Sequence, residues 1–321
     1  MTDTHGTTSG GDRPLAATPQ VAVDAIRTPG RVGLLGTEER LAVALVLPVV
    51  IVILAVAIYP LVYAVSLSFR QVRFGVPGDW VGLENYRRLV DDPRLFEAFR
   101  NTVVFTLSTV SLEFVLGLAI ALLINRAFVG RALVRAAILI PWAFPAVVSA
   151  IMWRLMFQDQ IGIMDYLIRQ TGLVHRPILT DETLTMIAAI FVSVWKTTPF
   201  MALLLLAGLQ TIPGELYESA RVDGAGAWER FRSITLPLLR PAIVVAVLFR
   251  TLDAWRVYEL FAVFSDNRLE SFATYIYEAV RVSELRFALG NAAAVVMFFS
   301  SMLIALVFVR FFGLRPAGGD R

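Results

Sequence analysis

Long apolar runs, each close to the length a helix needs to cross a bilayer, dominate this chain from residue 41 onwards. The first extends from Leu41 to about Ser66, and five more fall near 101–124, 133–157, 185–209, 238–262 and 288–311. About 20 apolar residues cross the hydrocarbon core as a helix, so the pattern predicts six spans. The runs lack the period-two alternation of barrel strands, and in lipid only a helix or a closed barrel satisfies every backbone N–H and C=O. The predicted fold class is therefore all-α, a polytopic membrane protein with six transmembrane helices. Residues 1–40 are rich in Gly, Thr, Ser, Pro and Asp and carry no apolar period. Such a segment buries too little surface to offset its chain entropy and is expected to be a flexible tail. Residues 41–312 are expected to form the membrane domain and 313–321 a second short tail. No short signal-peptide core with a small-residue cleavage site precedes the first run, so that run is expected to remain as a helix.

The polar stretch between the fourth and fifth runs has a pattern of its own. Pro213-Gly214-Glu215-Leu216-Tyr217-Glu218-Ser219-Ala220 predicts a short amphipathic helix. Pro213 suits a first helical turn, and Glu215 and Glu218 favour the positive end of the helix dipole. Asp223-Gly224-Ala225-Gly226 then interrupts it, with Gly224 free to adopt a left-handed conformation and Asp223 placed to cap the next helix. Trp228, Phe231 and Ile234 recur at helical spacing before Leu236-Pro237, and Pro241 stands at the start of the next span. Residues 210–241 are thus predicted to form a helix, a tight turn and another helix, exposed on one side of the membrane.

Composition agrees with a lipid environment: 57% of the 321 residues are hydrophobic and 17% charged, against about 25% charged in soluble domains. Cysteine is absent, and the two histidines, His5 and His175, are too few and too far apart for a cluster, so no disulfide framework or metal site is expected. The net charge of +3 is small and dispersed, which argues against a nucleic-acid partner. A slight excess of basic residues in the N-terminal tail and the loops of that side favours a cytoplasmic N-terminus. An even number of crossings then puts both termini in the cytoplasm. Lys196 is the sole lysine. A phosphate-binding loop of the GxxxxGK[ST] form needs a lysine after glycine, and Lys196 follows Trp195, so ATP would have to be hydrolysed elsewhere.

Glu218-Ser219-Ala220, Asp223-Gly224-Ala225, Phe231, Ile234, Leu236-Pro237 and Pro241 resemble the cytoplasmic "EAA" loop of binding-protein-dependent ABC importer permeases, in the sugar-transporting branch. Ser219 stands where that motif usually has its second alanine. Gly82-Leu83-Glu84-Asn85-Tyr86, Asn101-Thr102, Ile140-Pro141-Trp142, Pro145 and Trp153 extend the similarity. Residues 194–200 and 248–254 look like the permeases of trehalose- and maltose-type importers. After Tyr258 the family usually has a Thr-Gly-Gly-Gly-Pro-like external turn, where this chain has Ser265-Asp266-Asn267-Arg268. The resemblance implies that Glu215, Glu218, Ser219, Ala220, Asp223, Gly224, Ala225, Phe231, Leu236 and Pro237 form a coupling element that docks in a cleft of an ATPase subunit. It implies a permease subunit of the bacterial cytoplasmic membrane that moves a sugar, a disaccharide such as trehalose or a maltose-like glucoside, and is not itself an enzyme. The implied partners are a second homologous permease, two ATPase subunits and an extracytoplasmic sugar-binding protein. ATP and Mg would bind to the ATPases and no cofactor to this chain.

Four ionisable residues, Arg250, Asp253, Arg256 and Glu259, follow one another at i,i+3 steps in the fifth run. Each costs on the order of 3 kcal/mol at the centre of a helix in lipid, so they are expected to face protein or water. One reading pairs them along the helix. The other sets Arg250 and Asp253 beside a translocation cavity, as sugar ligands or as a gate. Lys196 also falls inside a span and requires a carboxylate or water, with Asp253 and Glu113 the candidate partners. Trp142, Trp195, Trp255 and Tyr258 offer aromatic faces for sugar rings along that pathway, although such residues also populate membrane interfaces. Pro141, Pro145 and Pro199 are expected to bend their helices. An ion-coupled secondary transporter is the alternative reading, with the intramembrane charges as its relay. A membrane enzyme is disfavoured, because no convergent acid–base set is present.

Overall fold

The computed structural model describes residues 37–73, 76–172, 174–266, 268–281 and 286–312. The expected tails lie outside these residues, apart from 37–40. Two units are described separately. The first contains helix α1 (Thr37–Ile53), with Pro48 inside it, and a π-helical turn, Leu54–Ile58. The second begins at helix α2 (Tyr59–Ser68) and continues into an antiparallel hairpin of β1 (Arg70–Arg73) and β2 (Val76–Trp80), with Arg70 opposite Trp80 and Arg73 opposite Val76. Helices α3 (Glu84–Val90) and α4 (Pro93–Asn125) come next.

The start of α4 lies well before the predicted residue 101. Asp92 caps it, accepting a hydrogen bond from Arg94 N at 3.0 Å, and Pro93 occupies the first helical position. Asp181 does the same for α9 (Glu182–Gln210), accepting from Leu184 N at 3.1 Å. Pro199 lies inside α9 without interrupting it.

The third apolar run is not one straight helix. It divides into α5 (Arg131–Ile138), α6 (Ile140–Ala143) and α7 (Ala146–Phe157), with an 86° bend at the break before Ala146. Pro145 has no N–H to continue the helix and disfavours helical dihedrals in the residue before it. Phe144 is accordingly extended, at φ −69°, ψ 137°. Helix α8 (Ile163–Gln170) leads back towards α9.

Beyond α9 come α10 (Gly214–Val222), α11 (Ala227–Arg230), a π-helical turn (Phe231–Thr235) and α12 (Leu236–Trp255). Helix α12 stops at Trp255 instead of running to 262. Arg256 therefore sits just past its end, and Glu259 precedes a separate π-helical turn, Leu260–Phe264. Helices α13 (Phe272–Arg281) and α14 (Phe287–Phe312) complete the described chain.

Among the described residues, five helical segments are long and apolar enough to cross a membrane, and six if the bent pair α5–α6 and α7 is one span. Packing supports six. Glu113 of α4 meets Thr197 of α9, and four residues on, Gly117 meets Met201, so α4 and α9 run parallel. Two parallel helices joined in sequence need a return crossing between them, and only α5–α7 can supply it. Helix α12 runs antiparallel to α9, because Arg250 meets Thr197 while the earlier Ala242 meets Gly208 nearer the end of α9. A Cβ on Gly208 would collide with the Ala242 Cβ, so the absence of a side chain there sets how closely α9 and α12 approach.

Polarity is distributed as lipid requires. On α4, Leu107, Val115 and Leu123 are more than 60% exposed, while Glu113 is fully buried. Apolar packing is concentrated in three places. Phe105, Trp153, Val192 and Phe264 join α4, α7, α9 and the turn after α12. Ala121, Leu205 and Leu239 join α4, α9 and α12. Leu89, Ala98, Phe272 and Ala292 join α3, α4, α13 and α14.

Candidate functional site

A cavity of about 410 Å³ lies among α4, α7, α9 and α12, lined by the polar groups Ser149, Ser193, Lys196, Thr197, Arg250, Asp253, Arg256 and Glu259. Its organising feature is a buried ion pair joining α4 to α12. The Arg250 guanidinium donates from Nε to Glu113 Oε2 at 2.7 Å and from Nη2 to Glu113 Oε1 at 2.9 Å. This two-bond geometry is the strongest that arginine and a carboxylate can form. Thr197 and Ser193, one turn apart on α9, donate to Glu113 Oε1 at 2.5 and 3.4 Å. Arg250 Nη2 also donates to the Thr197 hydroxyl at 3.1 Å, and Nη1 donates to Asp253 Oδ2. Side-chain exposure is 0% for Glu113, 4% for Arg250 and 69% for Asp253. The network thus runs from the protein interior to the cavity and ends on one exposed carboxylate. Ser149 adds a buried hydroxyl with no protein partner at the cavity wall.

The four-residue series of the fifth run is therefore only half a helical ladder. Arg250 and Asp253 pair at i,i+3, as that reading requires, while Arg256 donates from Nε to the Leu252 carbonyl at 3.2 Å. Lys196 forms an ion pair with neither expected carboxylate, both of which are held by Arg250. Its ammonium donates instead to the carbonyls of Phe144 at 2.7 Å and Trp142 at 3.4 Å. Those carbonyls lie at the break before Pro145, where no following N–H completes the helix, and a cation is favoured at such a helix C-terminus. Trp142 stacks on Phe200 of α9, with ring centroids 5.7 Å apart and planes within 9°. The sole lysine thus pins the bent span to α9.

The four expected aromatics are not among the residues that line this cavity. Lys196, Arg250 and Asp253 line the cavity, whereas Trp142, Trp195, Trp255 and Tyr258 do not. Trp195 packs edge-on against Trp153 at 5.2 Å. Trp255 is buried, donating from Nε1 to Ser300 Oγ at 3.0 Å. Tyr258 packs on Tyr277 at 5.0 Å. Tryptophans on span faces have apolar neighbours to pack against, and sequence alone does not separate that from a solute-facing ring. Ser149, Ser193 and Thr197 were not singled out from the sequence. Their one signal is a hydroxyl inside an otherwise apolar run.

At the far end of α9 the expected helix, turn and helix are present. Gly224 has φ +81°, where only glycine sits without strain. Gly224 N bonds to Arg221 O at 3.1 Å and Ala225 N to Ala220 O at 2.9 Å, which closes α10 with a Schellman turn. Asp223 is the C-cap of α10 and not the N-cap of α11; that cap is Gly226, which makes no side-chain bond. Pro213 stands one residue before the first turn. The Tyr217 hydroxyl meets Thr235 Oγ1 at 2.9 Å and ties α10 back to the base of α12. Glu215 lies in the first turn of α10, Glu218 is exposed, and Phe231 stacks with Trp228 at 5.5 Å. Leu216, Val222 and Trp228 are 42%, 87% and 71% exposed, leaving an apolar face uncovered.

At the opposite end of the bundle, Asp92 accepts from the Tyr275 hydroxyl at 2.8 Å and from Arg286, while Arg94 pairs with Glu270. Burial pushes the Tyr275 phenol up to about 12, with the Glu270 carboxylate adding to the effect. Burial also raises the Glu270 carboxyl, against the opposing pull of Arg94. The turn around Ser265-Asp266 is anchored by Arg154 on Asp266 at 2.9 Å and by Arg268 on the Leu179 carbonyl at 3.0 Å; Asn267 lies outside the described residues.

A helical bundle with six crossings, a charged and hydroxyl-lined cavity inside it, and a short rigid helix held outside the spans defines a solute permease. Residues 113–316 match the family of binding-protein-dependent transport system inner membrane components. The chain is 38% identical over 294 residues to the trehalose transport system permease protein SugA of Mycobacterium tuberculosis, covering 90% of this chain and 94% of that one. It is 42% identical over 224 residues to the trehalose/maltose transport system permease protein MalF of Thermococcus litoralis, covering 70% and 76%. Its fold matches a chain in the crystal structure of a bacterial ABC transporter involved in import of the acidic polysaccharide alginate, with a TM-score of 0.74, 23% identity, and 88% and 97% coverage. The chain belongs to the family of binding-protein-dependent transport system inner membrane components, the membrane-spanning subunits of ABC importers.

Proposed function

We propose that this chain is one of two permease subunits of an ATP-driven importer that carries an uncharged sugar, a disaccharide of the trehalose or maltose type, across the cytoplasmic membrane. The observation that carries the proposal is the helix–turn–helix of residues 210–241, whose second half runs directly into the span bearing Arg250 and Asp253. Relatives named for trehalose and trehalose/maltose transport support the sugar class. In this reading α10, with Glu215, Glu218, Ser219 and Ala220, docks on an ATPase subunit through the uncovered face that includes Leu216 and Val222. Asp223, Gly224 and Ala225 fix the turn, and Phe231, Leu236 and Pro237 fix the base of α12. Closure of the two ATPases displaces α10 as a rigid body, and the Tyr217–Thr235 contact passes that displacement to α12 and the cavity wall. No bond is broken by residues of this chain, and ATP and Mg belong to the partner subunits. A second permease completes the cavity, and an extracytoplasmic binding protein delivers the sugar at the end that holds α13. The α10 end is then cytoplasmic, and with six crossings both tails, 1–40 and 313–321, flank the membrane domain on that side.

The chain has no cysteine, so Val222→Cys supplies a unique thiol on the proposed docking face. In the assembled importer it is expected to cross-link to an ATPase subunit with a yield that changes on adding ATP. A thiol that labels freely with ATPases bound, and forms no cross-link in any nucleotide state, contradicts the docking role.

A further inference from the structure

The cavity network shows a division of labour among its charges. Arg250 spends its guanidinium on protein: Nε and Nη2 on Glu113, Nη2 again on Thr197, and Nη1 on Asp253. Four bonds to protein, on a side chain 4% exposed, leave it little with which to bind a solute. Asp253 is the reverse. One of its oxygens is held by Arg250 and the side chain is 69% exposed to the cavity. An ionised carboxylate only accepts hydrogen bonds, so the group offered to the solute is an acceptor for hydroxyl donors. With Oδ2 engaged by Arg250, rotation of the carboxylate about its bond to Cβ is restricted and Oδ1 is left for the cavity. Arg250 is itself fixed by Glu113, which lies on a different helix and never reaches the cavity surface.

We infer that Glu113 is a positioning residue for solute recognition. Through Arg250 it fixes the direction in which the Asp253 carboxylate accepts hydrogen bonds from hydroxyls of an uncharged polyol. The inference rests on the proposed sugar-importer function and deepens it by naming which group touches the sugar and which residue aims that group. Charge balance points the same way. Lys196, Arg250 and Arg256 are offset by Glu113, Asp253 and Glu259, so this side of the cavity carries no net charge with which to attract an acidic saccharide.

The test is the rate of uptake of a disaccharide and of its monodeoxy analogues by the complete importer in proteoliposomes, each well below saturation, where a lost binding contact is read in the rate. The readout is the parent-to-analogue ratio relative to wild type, which cancels selectivity contributed by an external receptor. For the analogue lacking the contacted hydroxyl, wild type is expected to favour the parent about tenfold, the equivalent of one lost hydrogen bond to a charged group. Asp253→Ala is expected to lower the parent-to-analogue ratio about tenfold relative to wild type. Glu113→Gln is expected to lower it at least threefold, and Glu113→Gln with Asp253→Ala to match Asp253→Ala alone, because the two act on one contact. Should Glu113→Gln assemble poorly, Glu113→Asp keeps the charge but retracts it by one methylene, and an intermediate ratio is expected. A Glu113 that only holds helices together would lower uptake of parent and analogue equally, and an unchanged ratio in Glu113→Gln, or in Glu113→Asp where the former does not assemble, overturns the inference. Absence of any disaccharide uptake by wild type is a different failure: it removes the sugar-importer reading, and this proposal with it.

Discussion

Replacing Arg250 by methionine removes the cation from a carboxylate that has no access to solvent. Glu113 is 0% exposed and Arg250 4%, so their attraction is not weakened by water as a surface pair would be. Stranding one partner of such a pair costs about 3–5 kcal/mol. The hydroxyls of Thr197 and Ser193 still donate to Glu113 in this variant, which places the expected loss near the lower end of that range. Glu113→Gln is milder, since the amide keeps a hydrogen-bonding oxygen and Asp253 still faces Arg250; about 1–3 kcal/mol is expected. The double variant Glu113→Gln with Arg250→Met contains no stranded charge, and a buried pair replaced by neutral groups is often close to neutral in stability. It should therefore be more stable than Arg250→Met alone. The assay is the temperature at which the purified protein loses its single size-exclusion peak, where each kcal/mol corresponds to about 2–4 °C for 150–250 residues. Wild-type stability in Arg250→Met, or a double variant whose loss is the full sum of the two single losses, refutes the reasoning that these charges depend on each other.

Gly208→Ala pushes a methyl into the Ala242 Cβ and is expected to cost about 1–3 kcal/mol, with Ala242→Gly in the same chain restoring most of it; no rescue would mean that α9 and α12 are not held at that point. Lys196→Met removes the cap on the Phe144 and Trp142 carbonyls and is expected to cost about 1 kcal/mol, whereas Lys196→Arg keeps donors there and most of the stability. The two variants are compared by the same thermal assay, and equal losses would count against the cap. Tyr275 binds its proton more tightly in the folded chain, where burial pushes it up to about 12, than in the unfolded chain, at about 10. Its contribution is complete below pH 10 and lost as the pH rises to about 12, so midpoints of wild type should fall over that window more steeply than those of Tyr275→Phe. Parallel curves would contradict the assignment.

Lipid made the spans legible: a bilayer demands about 20 apolar residues per crossing, and that demand is written locally in each run. Gly224 was equally plain, because a glycine between two amphipathic segments has few other uses. Prolines carried less information. Pro145 marks an 86° break, while Pro48, Pro199 and Pro241 lie inside helices, and nothing within a few residues of each tells them apart. What decides is tertiary: Lys196, more than fifty residues from the break, satisfies the carbonyls that the break exposes. The same holds at the cavity. The sequence requires that Arg250 and Lys196 find partners, yet the choice of Glu113 for Arg250 is made across 137 residues by the packing of α12 against α4. The hairpin at residues 70–80 and the stop of α12 at Trp255 left no periodic signal to read, since each is only a few residues long.

The most direct test of the whole account is sugar uptake into proteoliposomes holding this chain with its second permease, its ATPases and the loaded binding protein. Uptake is expected only with ATP inside the compartment facing α10. Gly224→Val, which forces a β-branched residue into a left-handed turn at a cost of about 1–2 kcal/mol, is expected to leave the assembly hydrolysing ATP while uptake falls at least tenfold. Accumulation of sugar on an ion gradient with no ATP, or full uptake in Gly224→Val, would contradict the account.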